Sequence, residues 1–302
     1  GRHRSIVEGE LVTFQKTSSA SGDHLGAVSD YLLWYAKSIR TVKAVPLYQR
    51  RAGQGWVNYD YVRTADGEHR RMTVKERSDW STVQTDAAIY RRDNLTSQRP
   101  AQENDVQSLS HQGARFDPGK GTFKTDLTGL SRLTRVDRLE SYGKTISYRR
   151  YANDFPYFPY NNLGEDTLTG GFAEDRYYVV QTTQRVIERC MLMCTDPGDL
   201  VLDPTCGSGT TAYVAEKWGR RWITCDTSRV AVTLAKQRLM TSSYDYYELK
   251  YPHEGLKSGF IYRTVPHVTL KSIANGDPPE TETLFDQPEI DRKKLRVAGP
   301  FT

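Results

Sequence analysis

Apolar positions change their rhythm twice along this chain. Between residues 10 and 36 they come in short runs. Leu11-Val-Thr-Phe14 and Asp30-Tyr-Leu-Leu-Trp-Tyr35 read as two strands around the polar loop 22–26, a hairpin. Between 45 and 165 the runs shorten and are broken by Gly, Asn, Asp, Gln and Arg. The pattern there predicts a hairpin over 116–123 that turns at Pro118-Gly119 between Phe116 and Phe123. It also predicts a helix over 128–139: Leu130, Leu133, Val136 and Leu139 recur every third residue, with Arg132, Arg135 and Arg138 beside them.

From 166 to 250 the order becomes helix, strand, turn, helix, strand, helix. Val186, Ile187, Cys190, Met191 and Cys194 form a helical stripe that Asp196-Pro-Gly-Asp199 stops. Residues 199–203 predict a buried strand, 210–218 a helix ending at Gly219, and 221–225 a second strand. Residues 230–240 predict a helix with Ala231, Leu234, Ala235 and Leu239 on one face. Strands alternating with helices imply a parallel sheet with covering helices. Residues 251–302 carry Pro252, Pro266, Pro278, Pro279 and Pro288 and predict a partly extended appendage. The expected divisions are 1–44, 45–165, 166–250 and 251–302.

Composition narrows the class. The 302 residues suffice for one large or two modest domains, and 37 % hydrophobic with 26 % charged residues excludes a disordered chain. No apolar run approaches the roughly 20 residues that span a bilayer, and no apolar stretch follows the basic start Gly1-Arg-His-Arg4, so a cytoplasmic protein without a membrane partner is expected. The sequence opens without Met and stops at Pro300-Phe-Thr302, which leads us to expect part of a longer reading frame. Net charge is +5 and uneven: residues 40–150 hold 21 Lys and Arg against 13 Asp and Glu (+8), the remainder 21 against 24 (−3). A basic centre suggests a polyanion partner. Cys190, Cys194, Cys206 and Cys225 have neither histidines nearby nor C-x-x-C spacing, so no metal is expected and reduced thiols are.

The chemistry concentrates at Asp203-Pro-Thr-Cys-Gly-Ser-Gly-Thr210, where a strand ends in an acid, a glycine turn follows and a helix starts. The second strand ends on another acid, Asp226. Two strands, a glycine turn and two spaced carboxylates predict an adenosine-cofactor site. Gly207 to Ala212 satisfies G-x-G-x-x-[GA], so a nicotinamide-dependent oxidoreductase is one reading; no Lys follows the glycines, which excludes a P-loop. Three features favour S-adenosylmethionine. Asp203 would repel a pyrophosphate but suits an ammonium and a sulfonium. Pro204 and Cys206 precede the first glycine, and a helix with an Asp-Pro-Gly turn precedes the first strand. Asp226 is placed to accept ribose hydroxyls, which both cofactors carry.

These residues resemble a family. Tyr178-Val-Val-Gln-Thr182, the helix Val186-Ile-Glu-Arg-Cys190, the run from Asp196 to Ala212 and Trp218-Gly-Arg-Arg-Trp-Ile-Thr224 resemble the site-specific amino DNA methyltransferases, and among them the modification subunits of type III restriction systems. Asp30-Tyr-Leu-Leu-Trp-Tyr-Ala-Lys37 and Thr264-Val-Pro-His-Val-Thr-Leu-Lys-Ser-Ile-Ala274 resemble their flanking segments. The resemblance implies an α/β, Rossmann-like methyltransferase sheet, circularly permuted, with an inserted mixed α+β target-recognition region over 45–165. It implies S-adenosylmethionine as cofactor, held by Gln181, Thr182, Asp203, Pro204, Thr205, Cys206, Gly207, Ser208, Gly209, Thr210 and Asp226. The implied substrate is the exocyclic amine of a flipped base in double-stranded DNA, adenine N6 foremost. A restriction subunit and a homodimer are the further partners such proteins take.

The permuted branch places an Asp-Pro-Pro-Tyr-like catalytic tetrapeptide ahead of these segments; none is present, and it is expected upstream of Gly1. Asp277-Pro-Pro-Glu280 follows the cofactor motif and ends in Glu where an aromatic is needed, so it is not taken as catalytic. Tyr31, Trp34 and Tyr35 are candidates for the base pocket, with core packing as the alternative. Arg132, Arg135 and Arg138 are candidates for DNA phosphates, with a solvated helix face as the alternative. A noncatalytic DNA-binding remnant is the third reading of the whole.

Overall fold

The computed structural model describes residues 10–20, 27–51, 56–103, 105–106, 108–167 and 182–299. The chain divides into two compact units: residues 1–49, 159–263 and 284–302 form the first, and 50–158 with 264–283 the second. These divisions differ from the sequence-based ones. Residues 45–49 and 159–165 belong with the first unit, and the expected appendage 251–302 is shared between both.

Strands β1 (Glu10–Ala20) and β2 (Ala27–Trp34) form the expected hairpin in the first unit, pairing Leu11 with Leu33 and Thr13 with Tyr31. The second unit then contributes β3 (Tyr61–Arg63), β4 (His69–Arg71), β5 (Ala88–Asn94), helix α1 (Leu127–Arg135), β6 (Leu139–Tyr142) and β7 (Thr145–Tyr151). Its antiparallel sheet has the order β6-β7-β5-β3-β4. The first unit resumes with α2 (Gln184–Cys194), β8 (Leu200–Asp203), α3 (Thr210–Lys217), β9 (Arg221–Thr224) and α4 (Arg229–Thr241). Helix α5 (Leu270–Asn275) returns to the second unit.

The second unit closes its own core. Leu95, Leu130, Leu133, Leu139, Ile146 and Tyr148 are buried together with Ala274 of α5. Helix α1 starts where the Asp126 carboxylate accepts from the Gly129 amide at 2.7 Å. It crosses α5 at Gly129, where a Cβ would lie 2.9 Å from that of Ala274, so only glycine permits the approach. The helix predicted over 128–139 ends at Arg135, because Asp137 takes a left-handed φ of 55° and turns the chain into β6, which carries Leu139 to the core in a strand. The hairpin predicted over 116–123 does not form. Phe116 ends a strand that pairs back on Leu109–His111 in a tight hairpin just upstream, and Phe123 pairs with the more distant Thr96, so the two flanks find different partners and not each other.

Among the described residues the first unit is finished on one side only. Strands β8 and β9 are parallel, pairing Val201 with Trp222 and Leu202 with Ile223. Val201 and Trp222 pack against a core of Met191, Leu192, Val214, Ala215 and Trp218 supplied by α2 and the α3 region. The opposite face holds Leu200, Leu202 and Ile223, which are 53 %, 64 % and 50 % exposed. The strand expected to be buried is therefore buried on one face, because nothing among the described residues covers the other.

Candidate functional site

The glycine turn lies where the sequence analysis placed it, between the carboxyl end of β8 and the start of α3. It is pinned to β9 by its backbone: the Cys225 amide donates to the Asp203 carbonyl at 3.0 Å, and the Cys206 amide to the Cys225 carbonyl at 2.9 Å. Gly207 and Gly209 have φ values of 49° and 75°. Gly209 also caps α3, and a Cβ there would stand 2.7 Å from that of Ala235, so left-handed backbone and close contact with α4 both require glycine. Cys206, Ser208 and Thr210 point inward and are buried; Pro204 and Thr205 are exposed at the rim. Burial pushes the Cys206 thiol up, which makes it a packing group and no nucleophile.

The two acids sit at the ends of neighbouring strands. One oxygen of Asp203 accepts from the Thr205 amide at 3.0 Å. Asp226 accepts from the Ser228 amide at 2.8 Å with one oxygen and from Gly207 at 2.9 Å with the other. These amides hold its carboxyl below the usual carboxylate range, so it is an anion at neutral pH. Each oxygen keeps a lone pair, so a rigidly held carboxylate can still accept hydroxyl donors. Two carboxylates beside one glycine turn suit a cofactor with hydroxyls and positive charge and oppose a pyrophosphate. The residues therefore fit S-adenosylmethionine better than a dinucleotide.

Sequence reasoning missed Arg238. Its guanidinium lies 4.5 Å from the Tyr213 ring centre and donates to the Thr210 hydroxyl at 3.0 Å, locking the first turn of α3. Only the packing of α4 on α3 brings it there, so no local pattern announced it.

The other candidates separate. Gln181 lies outside the described residues, and Thr182 is exposed just before α2. Trp34 and Tyr35 line a mostly apolar cavity of about 360 Å³ within the first unit, walled by β1, β2 and α2; no residue of the glycine turn lines it. Tyr31 is 64 % exposed on the other face of the hairpin. Arg132 donates to the carbonyls of Ala274 and Asn275 at 2.8 and 2.7 Å, closing the carboxyl end of α5. Arg138 pairs with Asp154 through two bonds of 2.6 and 2.9 Å. Two of the three candidate phosphate contacts are thus engaged inside the fold, and Arg135 alone is exposed on α1. Asp277-Pro-Pro-Glu280 is exposed beyond α5. Among the described residues no group of His, Cys, Asp and Glu could hold a metal ion, and no helix is long and apolar enough to cross a membrane.

Several known proteins are similar to this chain. The chain is 42 % identical over 59 residues to the type II methyltransferase M2.DpnII of Streptococcus pneumoniae, covering 20 % of this chain and 22 % of that protein. It is 27 % identical over 154 residues to the DNA adenine methyltransferase YhdJ of Escherichia coli, covering 46 % and 49 %. It is 22 % identical over 252 residues to the type II methyltransferase M.EcaI of Enterobacter cloacae, covering 79 % and 48 %. The chain thus spans about half or less of the length of these curated relatives. Among solved structures, the M1.HpyAVI–SAM complex aligns with 33 % of this chain and 52 % of that one at 22 % identity, with a TM-score of 0.24. The profile of the N6/N4 DNA methylases matches residues 5–237, most of the chain and both acids of the glycine-turn site, and the chain belongs to that DNA methylase family.

Proposed function

We propose that this chain is the cofactor-binding and target-recognition portion of a DNA amino-methyltransferase that uses S-adenosylmethionine, with adenine N6 as the target amine. The carrying observation is the pair Asp203 and Asp226 at the carboxyl ends of two adjacent parallel strands around the Gly207–Gly209 turn. In this reading Asp226 accepts the ribose hydroxyls while its amide bonds prevent reorientation. Asp203 lends negative potential to the cationic end of the cofactor. Thr182, Gln181 and the turn residues 204–210 complete the cradle. The bound cofactor supplies an electrophilic methyl group. An amine conjugated into a base ring is a poor nucleophile, and its base must leave the duplex stack to be reached.

The permuted order of the family accounts for the remaining features. Residues 45–165, most of which lie in the second unit, are then the recognition region inserted ahead of the cofactor lobe. The sequence contains no Asp-, Asn- or Ser-Pro-Pro-aromatic run. In this reading the groups that accept the amine protons are not among the residues assigned here. Resemblance to type III modification subunits favours a restriction subunit as partner, and a homodimer as assembly.

Titration calorimetry tests this. The chain should bind S-adenosylmethionine and not NAD, and Asp226→Asn should weaken binding by one to two orders of magnitude, about 1.5–3 kcal/mol for a charged hydrogen bond. NAD binding without S-adenosylmethionine binding would return the oxidoreductase reading. The chain alone should transfer no methyl group to duplex DNA; robust transfer would refute a catalytic group outside it.

A further inference from the structure

The two faces of the five-stranded sheet have opposite chemistry. Residues paired across an antiparallel ladder share a face. Leu139, Ile146 and Tyr148 turn one face to the core. The pairs Arg63 with His69, Tyr61 with Arg71, Tyr61 with Tyr90 and Arg92 with Arg149 put the other set together. Through β6 and β7 this second face gains Tyr142, Tyr151 and Glu140. Its strands hold four arginines and four tyrosines against one glutamate, with Ala88 as the one aliphatic side chain. Tyr90 and Arg149 are buried at its centre, where Asp137 also reaches Arg149 and His69, so its exposed groups lie toward the edges.

These arginines divide by what they touch. Arg92 is held by Glu140 and stacks between Tyr61 and Tyr142, 4.1 and 4.8 Å from their ring centres. Arg149 is buried and held by Glu140 and Asp137. Both are framework: they stiffen the layer and fix the tyrosine planes. Arg63 and Arg71 are different. Their side chains are 46 % and 63 % exposed, and the nearest carboxylates, Asp137 and Asp60, lie 3.8 Å away, beyond a strong ion pair. Tyr142 is 67 % exposed beside the framework arginine.

We propose that this face contacts duplex DNA, with Arg63 and Arg71 on backbone phosphates and Tyr142 packing alongside. The inference rests on the DNA methylase reading and deepens it by locating the contact surface. A rigid layer carrying two underused guanidinium groups matches phosphate geometry, since arginine presents a planar fork of donors. The helix arginines Arg132 and Arg138, which the sequence suggested, are committed elsewhere.

Fluorescence anisotropy with a labelled mixed-sequence duplex, run on the full chain between about 50 and 200 mM salt, tests it. Replacing both residues, Arg63→Ala with Arg71→Ala, should weaken binding tenfold to a hundredfold and lower the log–log salt slope by about 2, near 0.9 for each phosphate no longer neutralised. The double lysine variant should restore the slope. Tyr142→Ala should weaken binding and leave the slope unchanged. A thermal melt should match the parent, since both arginines are exposed. Wild-type affinity and slope in the alanine variant, with the parent binding duplex, would overturn the surface while leaving the methylase reading intact. A parent chain that binds no duplex would overturn both.

Discussion

The second unit and the parallel pair of the first unit pose the same problem with opposite outcomes. In the second, Leu130, Leu133 and Leu139 are 0–1 % exposed, and a helix from a distant part of the chain completes the layer. In the first, β8 and β9 bury Val201 and Trp222 against helices but leave Leu200, Leu202 and Ile223 facing outward. A parallel sheet is ordinarily covered on both faces. The contrast separates a unit that closes its own core from a parallel pair whose outer face is bare among the described residues.

The sharpest way to break this comparison is to truncate one leucine in each place. Leu133→Ala should cost about 2–5 kcal/mol, because it leaves a cavity in a closed core. Leu202→Ala should change stability by less than about 0.5 kcal/mol, because its side chain is already in water. Chemical denaturation of both variants reads the difference. Equal costs would mean that the outer face of β8 is covered after all.

Next comes the site itself. Gly209→Ala should cost about 2 kcal/mol, from a left-handed backbone and a Cβ 2.7 Å from that of Ala235. Cofactor affinity should fall with it, since the same turn presents Asp203 and Gly207. Adding Ala235→Gly removes the steric part and leaves the backbone part, so the double variant should recover some of the loss. No recovery would show that contact with α4 plays no part in shaping the turn.

Arg132→Ala should cost about 1–2 kcal/mol in the second unit, because two carbonyls at the end of α5 lose a charged donor. Arg135→Ala, one turn along the same helix and exposed, should be neutral in the same urea titration. This pair marks the boundary of what the sequence made legible. Both arginines follow the same spacing, and only a contact 142 residues away in the chain distinguishes them. The glycine turn was readable because its causes are local: an acid at a strand end, two glycines and a helix start. The end of α1 was not, because it depends on Asp137 adopting a left-handed conformation that its neighbours do not announce. The flanks of Pro118-Gly119 were misread for a different reason. The turn signal at Pro118-Gly119 competes with another at Gln112-Gly113, which pairs Phe116 with Leu109, while Phe123 finds Thr96 farther away in the chain.

A pH dependence belongs to the second unit. Glu76 caps its own short helix (Val74–Ser78), and Arg70 donates to its carboxylate through two bonds of 2.7 and 2.9 Å. Arg70 first, and then the Thr73 amide, pull the Glu76 carboxyl down to about 2. A depressed folded-state pKa means that the carboxylate stabilises the fold above its unfolded pKa of about 4.3. That contribution should fade as pH falls from there toward about 2, where the folded group also takes its proton. Glu76→Gln should therefore melt below the parent at neutral pH, and the gap should narrow steadily between about pH 4 and pH 2. The first unit gives no reason for its bare face to follow that titration, so Leu202→Ala should show no such convergence. A gap for Glu76→Gln that stays constant down to about pH 2 would mean that the substitution disturbs packing around the cap and not the ion pair.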